Sequence, residues 1–143
     1  MSSVRVSRRY AAPAEAVFDA FTDPARAGKF LFATPEGRMV RVEIDARPGG
    51  AFVITERRDG EDIEHAGEYI EVERPRRLSF DFSVPKFSTQ RTRVTIDIAP
   101  NGDDAAELTL THEGVLDGWE EKTKAGWATI LEALARVVSS GVS

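Results

Sequence analysis

Between Val40 and Glu113 the chain alternates apolar and polar residues with a period of two, broken only by short turn-forming clusters. That pattern predicts half-buried β-strands, here over 39–47, 51–58, 62–72, 77–84, 89–99 and 105–113. The breaks are Pro48-Gly49-Gly50, Asp59-Gly60, Arg74-Pro75, Pro85 and Asn101-Gly102, residues that supply positive φ, fixed φ or local hydrogen bonds. All are too short for the crossover of about a dozen residues that parallel neighbours need. The sheet is therefore expected to be antiparallel and largely a meander.

One long amphipathic segment follows. Over 118–138, Trp119, Thr123, Trp127, Ile130, Leu131, Leu134 and Val138 recur at spacings of three and four and predict a helix with a single apolar face. At about 1.5 Å per residue it is roughly 30 Å long and about 10 Å across. Six or seven strands at about 4.8 Å make a sheet roughly 30 Å wide. One helix cannot cover that width unless the sheet curls around it, and such curling leaves a cavity between the two. At the other end, Val4, Val6 and Tyr10 alternate with polar residues as a first strand, imperfect at Arg8. Pro13 suits the first turn of a helix with stripe Val17, Phe18 and Phe21, which Asp23-Pro24 stops. A second short helical piece over 25–32 ends in Phe30 and Phe32.

The chain of 143 residues is one domain's length, so 1–143 is read as a single domain. Twenty-four acidic against 19 basic side chains argue against nucleic acid as a partner. With Cys 0, disulfides, thiolate metal sites and thiol nucleophiles are excluded. The start lacks the apolar run of a signal peptide, and no stretch approaches the roughly 20 apolar residues of a membrane span. A cytoplasmic protein without a membrane partner is expected. Phosphate-binding and dinucleotide loops, the G-x-S-x-G elbow and H-E-x-x-H are absent. His112-Glu113 has no second His one turn on, and Asp103-Asp104 lacks calcium-loop spacing. No metal and no cofactor are expected.

Several segments in this order resemble one family. They are Ala12-Pro13-Ala14-Glu15-Ala16-Val17-Phe18-Asp19-Ala20-Phe21-Thr22-Asp23-Pro24, Gly49-Gly50-Ala51-Phe52, Thr92-Arg93-Val94-Thr95-Ile96, Leu108-Thr109-Leu110-Thr111-His112-Glu113-Gly114 and Gly126-Trp127. From Val4 to Val138 the chain resembles the activator-of-Hsp90-ATPase homologue-like family, within the START/Bet v 1-like (SRPBCC) superfamily. The resemblance implies an α+β helix-grip fold: a curved antiparallel sheet of six to seven strands around a long C-terminal helix, with two short N-terminal helices. It further implies an apolar small molecule or lipid in the cavity, though some members of the superfamily are cyclases or hydrolases. Eukaryotic Hsp90 activators carry a separate N-terminal domain, for which this chain has no room. Where the family usually has a Trp after the second helix, this chain has Phe30-Leu31-Phe32. No catalytic residue carries over.

Strand parity suggests which polar groups face the cavity, because partners across an antiparallel pair share a face. A three-residue loop at Asn101-Gly102 pairs Ile96 with Leu108, Val94 with Leu110 and Thr92 with His112, pointing His112 inward; Arg91 then meets Glu113, and Asp97 meets Glu107. An odd loop at Arg74-Pro75 pairs Val72 with Leu78 and Ile70 with Phe80, carrying Glu68 inward. A two-residue Asp59-Gly60 turn pairs Ile54 with His65 and turns His65 inward too, the alternative being a simply exposed His65. Both hold if the strand has a bulge, for which Gly67 is the natural place. The expected cavity lining is thus Phe30, Phe32, Val42, Phe52, Ile54, His65, Glu68, Phe80, Phe82, Val94, Leu110, His112 and Trp127.

For His112 the alternatives are a hydrogen-bonded wall residue, a ligand-orienting or proton-transferring group, and a metal ligand. The Arg74-Pro75-Arg76-Arg77 cluster reads as a solvated turn before an anion site. The leading expectation is a domain that binds an apolar or aromatic small molecule or lipid, as a monomer or homodimer. The alternatives are a cyclase or hydrolase using His112 with Glu68, and a co-chaperone-like domain with an Hsp90-type chaperone as its partner.

Overall fold

The alternating segments form strands and the amphipathic ones form helices, in the order expected. The computed structural model describes residues 2–33, 37–84 and 91–140. The elements are β1 (Ser2–Tyr10), α1 (Ala14–Thr22), α2 (Pro24–Ala27), β2 (Arg38–Ile44), β3 (Ala51–Arg58), β4 (Glu61–Glu73), β5 (Arg77–Ser83), β6 (Thr92–Pro100), β7 (Ala106–Val115) and α3 (Glu120–Ser140). Seven strands make one antiparallel sheet in the order β1-β7-β6-β5-β4-β3-β2. The six strands β2 to β7 are a meander, and β1 closes onto β7. The curved sheet grips α3, with α1 and α2 packed beside it: an α+β helix-grip fold. No helix among the described residues is long and apolar enough to cross a membrane.

The core lies between the concave face and α3. Ile54, Leu78, Phe80, Val94, Ile96, Leu108 and Leu110 project from the sheet, and Trp127, Leu131 and Leu134 from the helix. Each full burial of such a side chain is worth about 1.5–3 kcal/mol. Tyr10 donates its buried hydroxyl to the Leu131 carbonyl at 2.7 Å, tying β1 to the middle of α3. On the surface, Arg74 makes a two-pronged bond to Asp19 at 2.7 and 2.8 Å, pinning the β4–β5 turn to α1. Arg76 pairs with Glu73, and Arg77 with Glu71 and Asp97. The arginine cluster is thus a solvated, internally paired turn.

Some expectations on register need correction. The β6–β7 loop spans 101–105, because Pro100 pairs with Ala106 and Asn101 donates to the Ala105 carbonyl. Ile96 therefore meets Leu110, Val94 meets His112 and Arg93 meets Glu113, two residues from the expected register. Five loop residues and three are both odd, so the faces are unchanged and His112 does point inward. Asp97 meets Thr109 and escapes Glu107.

In β4 the bulge is real but falls at Ile70: Tyr69 pairs with Phe80 and Glu71 with Ser79, so the Ile70–Phe80 pairing does not form. Gly67 lies in regular ladder between Phe52 and Phe82. Its missing side chain serves close packing instead. A Cβ there would stand 2.0 Å from the Asp81 carbonyl oxygen and 2.7 Å from the Phe52 ring. Because the ladder stays regular as far as Tyr69, Glu68 pairs with Ala51 and Asp81 and is exposed on the convex face. It is not a cavity residue.

The second helix is shorter than expected, ending at Ala27. The long helix begins at Glu120, one residue after Trp119 and two after Gly118, whose φ of +92° is not helical. Trp119 is consequently half-exposed and outside the apolar stripe. The expected break at Pro85 and strand start at Thr89 lie outside the described residues.

Candidate functional site

The space expected to be hollow is largely filled with aromatic rings. After α2 the chain turns through Phe32, held at φ +56°, a left-handed conformation uncommon for a bulky residue. This turn drives the Phe32 ring into the grip. It stacks on His65 with ring centres 4.2 Å apart and planes 9° apart. Phe82 stands at 5.3 Å, Trp127 at 5.7 Å and Phe52 at 6.3 Å. Behind it Phe52 meets Phe80 edge-on at 5.1 Å, and Phe30 meets Phe21 in the same way at 5.1 Å. Arg58 donates to the Phe32 carbonyl at 3.4 Å and pairs with the buried Glu56. At this end of the grip Phe30, Phe32, Phe52, Ile54 and Phe80 are core, while Val42 is half-buried against them.

The grip opens beside this cluster, with Phe82 bordering both. A pocket of about 290 Å³ is lined, among the described residues, by Phe82, Ser83, Val84, Thr92, His112, Gly114, Val115, Leu116, Trp119 and Thr123. Of the expected lining residues, Phe82 and His112 border it; Val94 and Leu110 lie fully buried in the sheet. Three large apolar side chains are exposed among the described residues, Val40, Leu116 and Trp119, and two of these rim this pocket. Leu116 and Val115 escaped sequence reasoning, and Thr123 was read only as part of the helical stripe. Trp119 was visible as an aromatic at helical spacing, but its place outside the stripe depends on where the helix begins.

His112 is the polar centre of the pocket wall. The Trp127 indole N–H donates to its Nδ1 at 2.9 Å, and its Nε2 lies 2.7 Å from Thr92 Oγ1. Thr92 is thus a diagonal neighbour, two residues along β6 from the Val94–His112 rung. The His112 ring also meets Phe82 at 5.3 Å and Trp127 edge-on at 5.9 Å. Burial pushes its pKa down to about 4, so it is neutral at pH 7. His65 is pushed to about 4 as well, first by burial and then by the Arg58 charge, against the Ile54 and Ile63 carbonyls and Glu56. Both His112 nitrogens are engaged, and Glu68 is on the opposite side of the sheet. The expected Glu68–His112 acid–base pair therefore does not exist. Among the described residues no group of three or more His, Cys, Asp or Glu is placed to hold a metal ion.

Comparison with known proteins agrees with this architecture. Protein CV1439 from Chromobacterium violaceum is 29% identical with a TM-score of 0.86, over 95% of this chain and 96% of that one. The AHSA1-like protein from Aeromonas hydrophila is 21% identical with a TM-score of 0.81, over 96% and 93%. PFC0360w from Plasmodium falciparum, described as an HSP90 activator, is 21% identical with a TM-score of 0.76, over 97% of each chain. A search of curated protein sequences returned no match. The sequence model of the Activator of Hsp90 ATPase homolog 1-like proteins matches residues 11–139. With nearly its whole length matched, the chain belongs to the Activator of Hsp90 ATPase homolog 1-like family.

Proposed function

We propose that this protein binds a flat apolar or aromatic small molecule at the mouth of the grip, between Phe82 and Trp119. The observation that carries the reading is the pocket of about 290 Å³ whose rim exposes Trp119 and Leu116. Half-exposed aromatic and aliphatic side chains cost solvation unless something covers them. A lining dominated by apolar groups with a few polar ones is what small-molecule sites present. The pocket lies beside the packed core rather than inside it, so a ligand of one or two rings fits better than a long lipid chain.

The test uses the uncharged dye N-phenyl-1-naphthylamine, whose fluorescence rises in apolar surroundings. It should bind the wild-type protein at one site. Trp119→Ala removes the rim and Thr123→Trp fills the space; each should weaken binding at least tenfold while the thermal midpoint stays within a few degrees. Equal dye binding by all three proteins would defeat the proposal. A second reading, contact with an Hsp90-type chaperone, draws support from the Plasmodium falciparum neighbour described as an HSP90 activator. Capture of Hsp90 that survives Thr123→Trp would favour that reading over the pocket.

A further inference from the structure

The hydrogen bonds behind the pocket run in one direction only, and that direction specifies the chemistry of the ligand. An indole N–H can donate but never accept. The 2.9 Å contact from Trp127 Nε1 therefore makes His112 Nδ1 an acceptor. A neutral imidazole with an unprotonated Nδ1 carries its hydrogen on Nε2. Nε2 in turn lies 2.7 Å from Thr92 Oγ1, so the histidine donates and the threonine oxygen accepts. Among the described residues the Thr92 side chain makes no other hydrogen bond, and Thr92 lines the pocket. Its own hydroxyl hydrogen has no acceptor among the described residues. An oxygen that already accepts one bond tolerates a spare lone pair, whereas an O–H that a bound ligand covers without offering an acceptor is costly.

Charge narrows the ligand further. None of the described lining residues is Asp, Glu, Lys or Arg. Lys122 Nζ stands 4.9 Å from the Trp119 ring at the rim, outside this lining, so a charged group inserted among the lining residues would lose water and meet no counter-charge there. Resting on the binding reading above, we infer that Thr92 is the specificity-determining residue of the pocket, and that its hydroxyl hydrogen selects an uncharged aromatic ligand bearing an acceptor such as a ketone carbonyl. Trp127 and His112 are positioning residues: they do not supply the bond to the ligand but decide which way Thr92 can point its hydrogen.

The test compares two compounds of one shape, 2-acetylnaphthalene and 2-isopropenylnaphthalene, which differ by a carbonyl oxygen in place of a methylene. Each competes against N-phenyl-1-naphthylamine. In the wild type the ketone should compete about fivefold better, the factor one neutral hydrogen bond supplies. Thr92→Val removes the hydroxyl donor and should abolish the preference; Thr92→Ser should restore it. In Trp127→Phe the histidine is free to take its other tautomer, and the preference should shrink while 2-naphthol, a donor, gains. Independently, the imidazole nitrogen-15 NMR spectrum at pH 7 should show His112 protonated on Nε2. Equal competition by ketone and alkene in the wild type, or a preference that persists in Thr92→Val, overturns the Thr92 assignment and leaves the pocket standing. Protonation on Nδ1 overturns it too. If neither compound nor the dye binds, the pocket reading itself falls, and this inference with it.

Discussion

His65 and His112 lie on the same concave face, and each is 7% exposed, yet they sit in opposite surroundings. His65 belongs to the packed end, where its ring lies flat against Phe32 and its Nδ1 has no hydrogen-bond partner among the described residues. His112 belongs to the open end, where both nitrogens are bonded and the ring separates the core from the pocket. Burial drives both toward the neutral form, with the Arg58 charge adding to it at His65. What differs is the use made of that form: at one end a flat surface to stack on, at the other a one-way relay of hydrogen bonds. A buried histidine is thus defined less by its degree of burial than by what its two nitrogens meet.

Acid should strain both ends at once. Each histidine titrates near 4 when folded, against about 6.5 in an unfolded chain. Between those values the unfolded chain binds protons that the folded chain refuses, so stability falls as pH falls through that window. The loss is up to roughly 3 kcal/mol for each histidine. Urea midpoints measured between pH 7 and pH 4 should drop accordingly; flat midpoints would show that neither ring is held neutral.

The next largest effect isolates the packed end. Phe32→Ala should destabilise by about 3–4 kcal/mol, since the ring touches four other rings and its loss leaves a void. A loss under about 1 kcal/mol in urea would mean that the ring does not fill the grip in solution.

The finest comparison replaces each histidine by leucine. His112→Leu strands the Trp127 N–H and should cost about 2 kcal/mol, whereas His65→Leu strands no side-chain donor, its Nδ1 being already unpartnered among the described residues, and should stay within about 1 kcal/mol of wild type. Equal costs in thermal unfolding would erase the distinction between the two ends.

Much of this was legible in the amino-acid sequence because periodicity of two and of three to four reports which face is buried. The Asp59-Gly60 turn, with φ of +50° and +79°, is the two-residue hairpin its composition implies, and it places His65 correctly. His112 came out on its true face although the loop beyond it is two residues longer than expected, since parity survives an even error. The misplacement of Glu68 has a physical cause. A bulge at Ile70 leaves no compositional mark, while Gly67 looks like a bulge and is instead a seat for the Phe52 ring. The filled interior was equally hidden. Nothing in Phe30-Leu31-Phe32 announces a left-handed Phe32, because that conformation is imposed by the aromatic shell that receives the ring.

The bulge at Ile70 also fixes where this fold can change length. With Ile70 removed, Tyr69 would still face Phe80 and Glu71 would still face Ser79, so every side chain of β4 would keep its side of the sheet. Removing a residue before Tyr69 would instead exchange inside for outside between that point and the bulge. Ile70 contributes curvature, not pattern. A chain one residue shorter there would carry the same two faces on a flatter sheet, and the grip around α3 would loosen without its contents being turned out.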